Sequence, residues 1–231
     1  LEHRASTALV CGRHDLPRVS MDEPTDEYRK FLGLVSHEYF HTWNVKRIKP
    51  AAFSPYDLDR ENYTSLLWAF EGFTSYYDDL MLVRAGLISR KDYLTSIARN
   101  ISGLARNPGR LRQSVAESSY DAWTKYYRQD ENTPNAVVSY YLKGSLVGLC
   151  LDLEIRARTK HRKSLDDVMR ALWAQYGQTG LGVPEDGIEL AVEDVTGLRF
   201  RAFFDSSVHS TDELPLVRAL KSVGIQMKLR P

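Results

Sequence analysis

The chain of 231 residues is 43% hydrophobic and 26% charged, an ordinary globular composition that excludes collagen-like, disordered and disulfide-scaffold classes. Thirty-one Lys and Arg against thirty Asp and Glu leave a formal charge of +1, so electrostatic capture of nucleic acid or of an anionic membrane is not expected. A charge interrupts every long apolar segment before it reaches the ~18 residues of a membrane span, and a soluble protein is expected, in the cytoplasm ahead of the periplasm.

Residues 5–12, closed by Gly12, predict a short strand, followed by a loop through Pro17 and Pro24. Ser20 and Glu23 have capping-box spacing, with Asp22 or Thr25 as equal candidates for the cap of a helix over about 26–45. Pro50 and Pro55 mark 47–62 as loop, and apolar spacing through Leu66, Phe70, Phe73, Tyr77 and Leu80 predicts a helix over 63–85 ended by Gly86. Ser89 and Asp92 open another helix to about Arg106. Further helices are expected over 136–159, 164–176 with Ser164 as N-cap, 185–196 and 212–223, with a terminal strand at 225–229. The expected fold class is mainly α (α+β), with a minor β component in one continuous domain. Cys11 and Cys150 read as buried small hydrophobes, and Trp43 and Trp68 as core aromatics.

His37-Glu38-Tyr39-Phe40-His41 is an HExxH sequence. Residues i and i+4 of a helix project side by side, so two imidazoles can hold one zinc while Glu38 acts as base toward an activated water. Such a site needs a third protein ligand. Asp57 and Asp59 fall in the Pro-interrupted loop and Glu61 at the start of the next helix, whereas Glu71 sits inside that helix among aromatics, where an uncompensated carboxylate is costly. Glu71 is the expected ligand, and Glu61 the alternative. His14, His161 and His209 are scattered and not expected at the metal. Lys46, Arg47 and Lys49 read as a solvated basic run, with contact to a substrate carboxylate as the other possibility.

Glu71-Gly-Phe-Thr-Ser-Tyr-Tyr77 after an HExxH resembles the gluzincin metallopeptidases, and His37 through Pro50 resembles more specifically the glycyl aminopeptidase family. Leu1-Glu2-His3-Arg4, residues 120–127 and Ser139-Tyr140-Tyr141-Leu142-Lys143-Gly144 extend the resemblance along the chain. It implies a thermolysin-like zinc metallopeptidase catalytic domain over 1–231 that removes small N-terminal residues, Gly or Ala, from a peptide. It also implies an N-terminal β-rich domain and a C-terminal PDZ domain, which 1–231 do not contain, so the chain reads as a catalytic core cut from a larger protein. By the same resemblance Glu71 is the third zinc ligand, the Tyr141 phenol donates to the oxyanion, and Glu2 meets the substrate's α-ammonium, while Tyr140 packs. An endopeptidase, an epoxide hydrolase or a non-catalytic binding domain are the other readings.

Overall fold

Helix α1 (Asp26–Phe40) starts at Thr25, whose hydroxyl accepts the Tyr28 N–H at 3.2 Å, and Asp26 and Glu27 complement the positive end of its dipole. The computed structural model describes residues 5–19, 21 and 23–228, so of the three candidate caps Ser20 and Asp22 lie outside the described residues. The helix stops at Phe40, short of the expected 45, because the chain turns sharply over 41–48. His41 remains helical in backbone (φ −59°, ψ −17°) as the C-cap, and this keeps the i, i+4 relation to His37.

The helix expected over 63–85 is two helices, α2 (Leu67–Phe70) and α3 (Gly72–Arg84), separated by Glu71. Then follow α4 (Arg90–Ala105), α5 (Val115–Tyr120), α6 (Thr133–Ala136), α7 (Leu142–Arg158), α8 (Leu165–Leu172), α9 (Gly187–Thr196), α10 (Arg201–Ser207) and α11 (Leu216–Lys221). Ser89 with Asp92 and Ser164 with Asp167 form the capping boxes of α4 and α8. The helix expected over 136–159 begins only at Leu142, and α5 and α10 are short helices without a clear apolar stripe in the sequence. No β-ladder forms among the described residues. Residues 5–12 form no strand beyond a single bridge position at Thr7, residues 225–228 form none, Leu229 lies outside the described residues, and Asn44–Ile48 and Pro50–Val183 are isolated bridges. The molecule is therefore mainly helical, and among the described residues isolated bridges stand where the minor β component was expected.

Helix α7 is the centre of the packing, with every residue from Lys143 to Leu153 buried. A helix apolar on all sides must be enclosed, and α2, α3, α4, α8 and α11 enclose it. Its one buried carboxylate is fully used: Asp152 accepts the Tyr76 hydroxyl and Arg156 Nε, each at 2.8 Å, and the Leu165 N–H at 2.7 Å. The crossing of α3 over α7 is made at two glycines. A methyl group on Gly72 would lie 2.5 Å from the Gly144 carbonyl carbon, and one on Gly144 would lie 2.7 Å from the Trp68 carbonyl oxygen. Backbone meets backbone there, one residue after Glu71 and three after Tyr141. Trp68 is buried as expected, whereas Trp43 is 38% exposed and stacks edge-on with exposed Tyr39; Cys150 is buried and Cys11 exposed.

Gly144→Ala should therefore destabilise the protein by about 1–3 kcal/mol through overpacking. Gly103→Ala, in α4 with only the flexible end of Leu142 near its new methyl at 3.5 Å, should be neutral or stabilising by up to about 1 kcal/mol. Urea denaturation of the two variants measures the contrast, and equal shifts would remove the glycine crossing as the explanation.

Candidate metal centre

His37 and His41 leave the last turn of α1 with their rings 4.7 Å apart and edge to face. Glu71 arrives from the α2–α3 junction and places Oε2 3.3 Å from His37 Nε2 and 3.2 Å from His41 Nε2. Among the described residues these three bring their donor atoms within 4.8 Å of one another. Asp57, Asp59 and Glu61 do not join them; Glu61 is exposed and accepts the Tyr63 hydroxyl. Glu38 is half-buried on the same turn of α1.

The other ring nitrogens are already committed. His37 Nδ1 lies 3.2 Å from Asp78 Oδ2, and His41 Nδ1 lies 2.8 Å from the Asn44 carbonyl oxygen. Both partners accept, so each Nδ1 carries a proton; without a metal each Nε2–H donates to Glu71, and loss of that proton leaves the Nε2 lone pair that ligation requires. Two imidazole nitrogens and one carboxylate oxygen match zinc in chemistry and number. Asp78 and Asn44 escaped the sequence reading. The available signal for Asp78 was its position seven residues, two helical turns, beyond Glu71 and so on the same face of α3; for Asn44 there was none.

Asn44 is buried and its side chain reaches the α2–α3 junction. Its Nδ2 donates to the carbonyls of Ala69 at 3.2 Å and Phe70 at 3.1 Å and to Thr74 Oγ1 at 3.2 Å. A side chain that takes over main-chain acceptors in this way interrupts a helix, and the interruption falls at Glu71. The turn that delivers Asn44 is strained, with Val45 at φ +135°, a region β-branched residues avoid at a cost on the order of 1–3 kcal/mol. Arg47, from the basic run, supports it by donating to the Thr42 carbonyl at 2.6 Å.

Burial opposes charge on all three donors, and their mutual hydrogen bonds outweigh it. His37, held by Asp78 and Glu71, is raised to about 9, His41 is raised by Glu71, and Glu71 is lowered to about 2 by the two imidazoles. Burial dominates at Asp78 and raises it to about 6 against the pull of His37.

Tyr141 stands above His37, with ring centroids 6.3 Å apart, at the residue before α7. Burial, then the charge of Glu71, pushes its phenol well above the ordinary tyrosine range, so it keeps its proton at neutral pH. A polar cavity of about 390 Å³ is lined by Lys30, Leu34, Arg99 and Ser139 and reaches Asp78 and Tyr141, though none of His37, His41 and Glu71 is in its wall. Glu2 lies outside the described residues, as does His3, while His14, His161 and His209 are away from the donor set.

A family model described as M61 glycyl aminopeptidase matches residues 30–147. The crystal structure of an aminopeptidase N family protein from Idiomarina loihiensis superposes with a TM-score of 0.95 at 44% identity, covering 98% of this chain and 38% of that one. The chain thus spans well under half the length of that relative. Nothing matches among curated proteins.

Two outcomes follow from the committed ring nitrogens. Asp78→Ala should weaken zinc binding by about 10–100-fold in chelator competition, and Asn44→Ala, which keeps the carbonyl at His41 Nδ1 but loses the side-chain bonds to the α2–α3 junction, should weaken it by displacing Glu71. Because His37 without a cation holds its proton up to about pH 9, zinc uptake below that pH must expel it; affinity should climb from pH 6 and level off above about 9. Proton release measured calorimetrically in two buffers checks the sign, and uptake at neutral pH without proton release would contradict it.

Proposed function

The chain belongs to the M61 glycyl aminopeptidase family, and from that premise we propose that it carries the zinc-dependent catalytic site of an aminopeptidase acting on small N-terminal residues of the Gly or Ala type. Three donors of the right chemistry within 4.8 Å of one another support this over a merely solvated histidine pair. His37, His41 and Glu71 hold the zinc. When bound, zinc supplies Lewis acidity toward a water and a peptide carbonyl.

The remaining work belongs to the chain's own residues. Glu38, next to His37 but outside the donor set, accepts the proton of the attacking water and returns it to the leaving amine. Tyr141 donates its phenolic hydrogen to the carbonyl oxygen as that oxygen gains negative charge, and the raised pKa of the phenol keeps that hydrogen in place. Asp78 and the Asn44 carbonyl hold the imidazoles in the required tautomer throughout. Peptide residues flanking the scissile bond have room in the cavity beside Tyr141, about 390 Å³ in volume. Glu2 is assigned the free α-ammonium of the substrate by family resemblance, which makes a free N-terminus part of the recognition. The described residues include no helix long and apolar enough to cross a membrane, and a peptide is the expected partner.

His41→Ala and Glu71→Ala should each lose most of the bound zinc, whereas Glu61→Ala, at an exposed carboxylate, should keep it. Glu38→Gln should keep zinc and lose at least ~10²-fold in kcat. Metal analysis beside hydrolysis of glycine and alanine anilides tests the set; zinc retained in Glu71→Ala, or unchanged turnover in Glu38→Gln, would reject the corresponding assignment. N-terminal acetylation of a peptide substrate should abolish turnover.

A further inference from the structure

Residues 122–126 wind as a single π-turn between Asp121 and Tyr127. The Asp121 carboxylate anchors it, accepting Gln113 Nε2 at 3.1 Å and Lys125 Nζ at 2.6 Å. The widened turn delivers two consecutive tyrosines to the start of α7. Tyr126 packs on Tyr140 with centroids 4.6 Å apart, and its hydroxyl lies 3.1 Å from Ser139 Oγ. Tyr127 instead brings its hydroxyl 3.0 Å from the Tyr141 hydroxyl and 3.3 Å from the Tyr140 hydroxyl. Its side chain is 67% exposed while Tyr140 is 1% exposed. A ring that open gains little from burial, so packing does not account for a phenol aimed at two other phenols.

Protons can be counted through the three. A neutral phenol donates once, and the geometry makes Tyr140 the donor to Tyr127. When the one proton of Tyr141 faces a substrate oxygen, the contact with Tyr127 is favourable only if Tyr127 donates and Tyr141 accepts. We propose that Tyr127 is a positioning residue that donates to the Tyr141 oxygen, in a one-way chain from Tyr140 to Tyr127 to Tyr141, and so keeps the Tyr141 proton aimed at the scissile carbonyl. This rests on the role of Tyr141 given above. No bond forms or breaks in the chain; each donor polarises the next, and the effect grows as the carbonyl oxygen becomes negative. Tyr140, expected to pack only, is thereby the far end of the relay.

The test is kinetic, with phenylalanine variants that keep every ring, in the zinc-loaded protein hydrolysing alanine p-nitroanilide. Tyr141→Phe should lose about 10²–10³ in kcat. Tyr127→Phe should lose about tenfold in kcat, the scale of one hydrogen bond, with KM, zinc content and Tm unchanged. Tyr140→Phe should lose less, and Tyr126→Phe, outside the chain, nothing. Affinity for an aminophosphonate mimic of the transition state should fall in Tyr127→Phe by the same factor as kcat/KM, a coupling that a loosened fold would not produce. The double variant Tyr127→Phe/Tyr141→Phe should be no slower than Tyr141→Phe alone. A large loss in Tyr141→Phe with full activity in Tyr127→Phe, or losses that multiply in the double variant, would overturn the relay and leave Tyr141 in its role. Full activity in Tyr141→Phe would overturn the relay together with that role.

Discussion

The metal-donor geometry depends on one buried amide. Asn44 holds His41 through its main-chain carbonyl and the α2–α3 junction through its side chain, so the two halves of the donor set, which come from helices far apart in sequence, are referenced to a single residue. Two of its polar atoms are spent in this way, and a buried amide without those partners would cost several kcal/mol. That cost makes the turn at 41–48 specific despite the strain at Val45. The same amide explains why Glu71 sits at a break between helices. Asn44 occupies the carbonyls of Ala69 and Phe70 on either side of the junction, while Glu71 itself keeps its bonds to Leu67 and Ser75 and turns its carboxylate to both Nε2 atoms.

A second constraint sets where Tyr141 stands. The glycine contact between α3 and α7 leaves no side chain between the two backbones, so the start of α7 has a fixed height above Glu71. Close-packed interiors transmit such contacts with little give, and α7 is buried along most of its length. Tyr141, the proposed donor to the reacting carbonyl, thus stands at the start of the most enclosed element of the fold. The satisfied Asp152 gives that element polar anchorage to α3 and α8 with its own carboxylate fully partnered.

Electrostatics at the centre are arranged for a cation. Two carboxylates, Glu71 and Asp78, flank His37, and without a metal their charge is answered by protons on the imidazoles. For a divalent ion to be held there, His37 and His41 would release their Nε2 protons while their Nδ1 bonds to Asp78 and the Asn44 carbonyl already fix both rings, so little reorganisation would be needed. On the opposite side of α1 the chain exposes Tyr39 and Trp43, which shows how one helix serves two environments: a polar, pre-oriented face toward α3 and an apolar face outward.

By itself the sequence determined the features that depend on local spacing. HExxH places two imidazoles on one helical face because 3.6 residues per turn makes i and i+4 neighbours, and the cost of a carboxylate among aromatics separated Glu71 from Glu61. The caps at Ser89 and Ser164 were legible for the same reason, since each is satisfied within one turn. Among the described residues neither 5–12 nor 225–228 forms a strand, because a strand needs a ladder of pairing along its length and local apolar character does not supply one. Only the tertiary structure decided that Asp78 and the Asn44 carbonyl orient the two rings, that Gly72 meets Gly144, and that Tyr127 touches Tyr141. Each of these joins groups from separate turns or helices, and the energy that fixes them resides in the contact, which no single segment carries in its residue pattern.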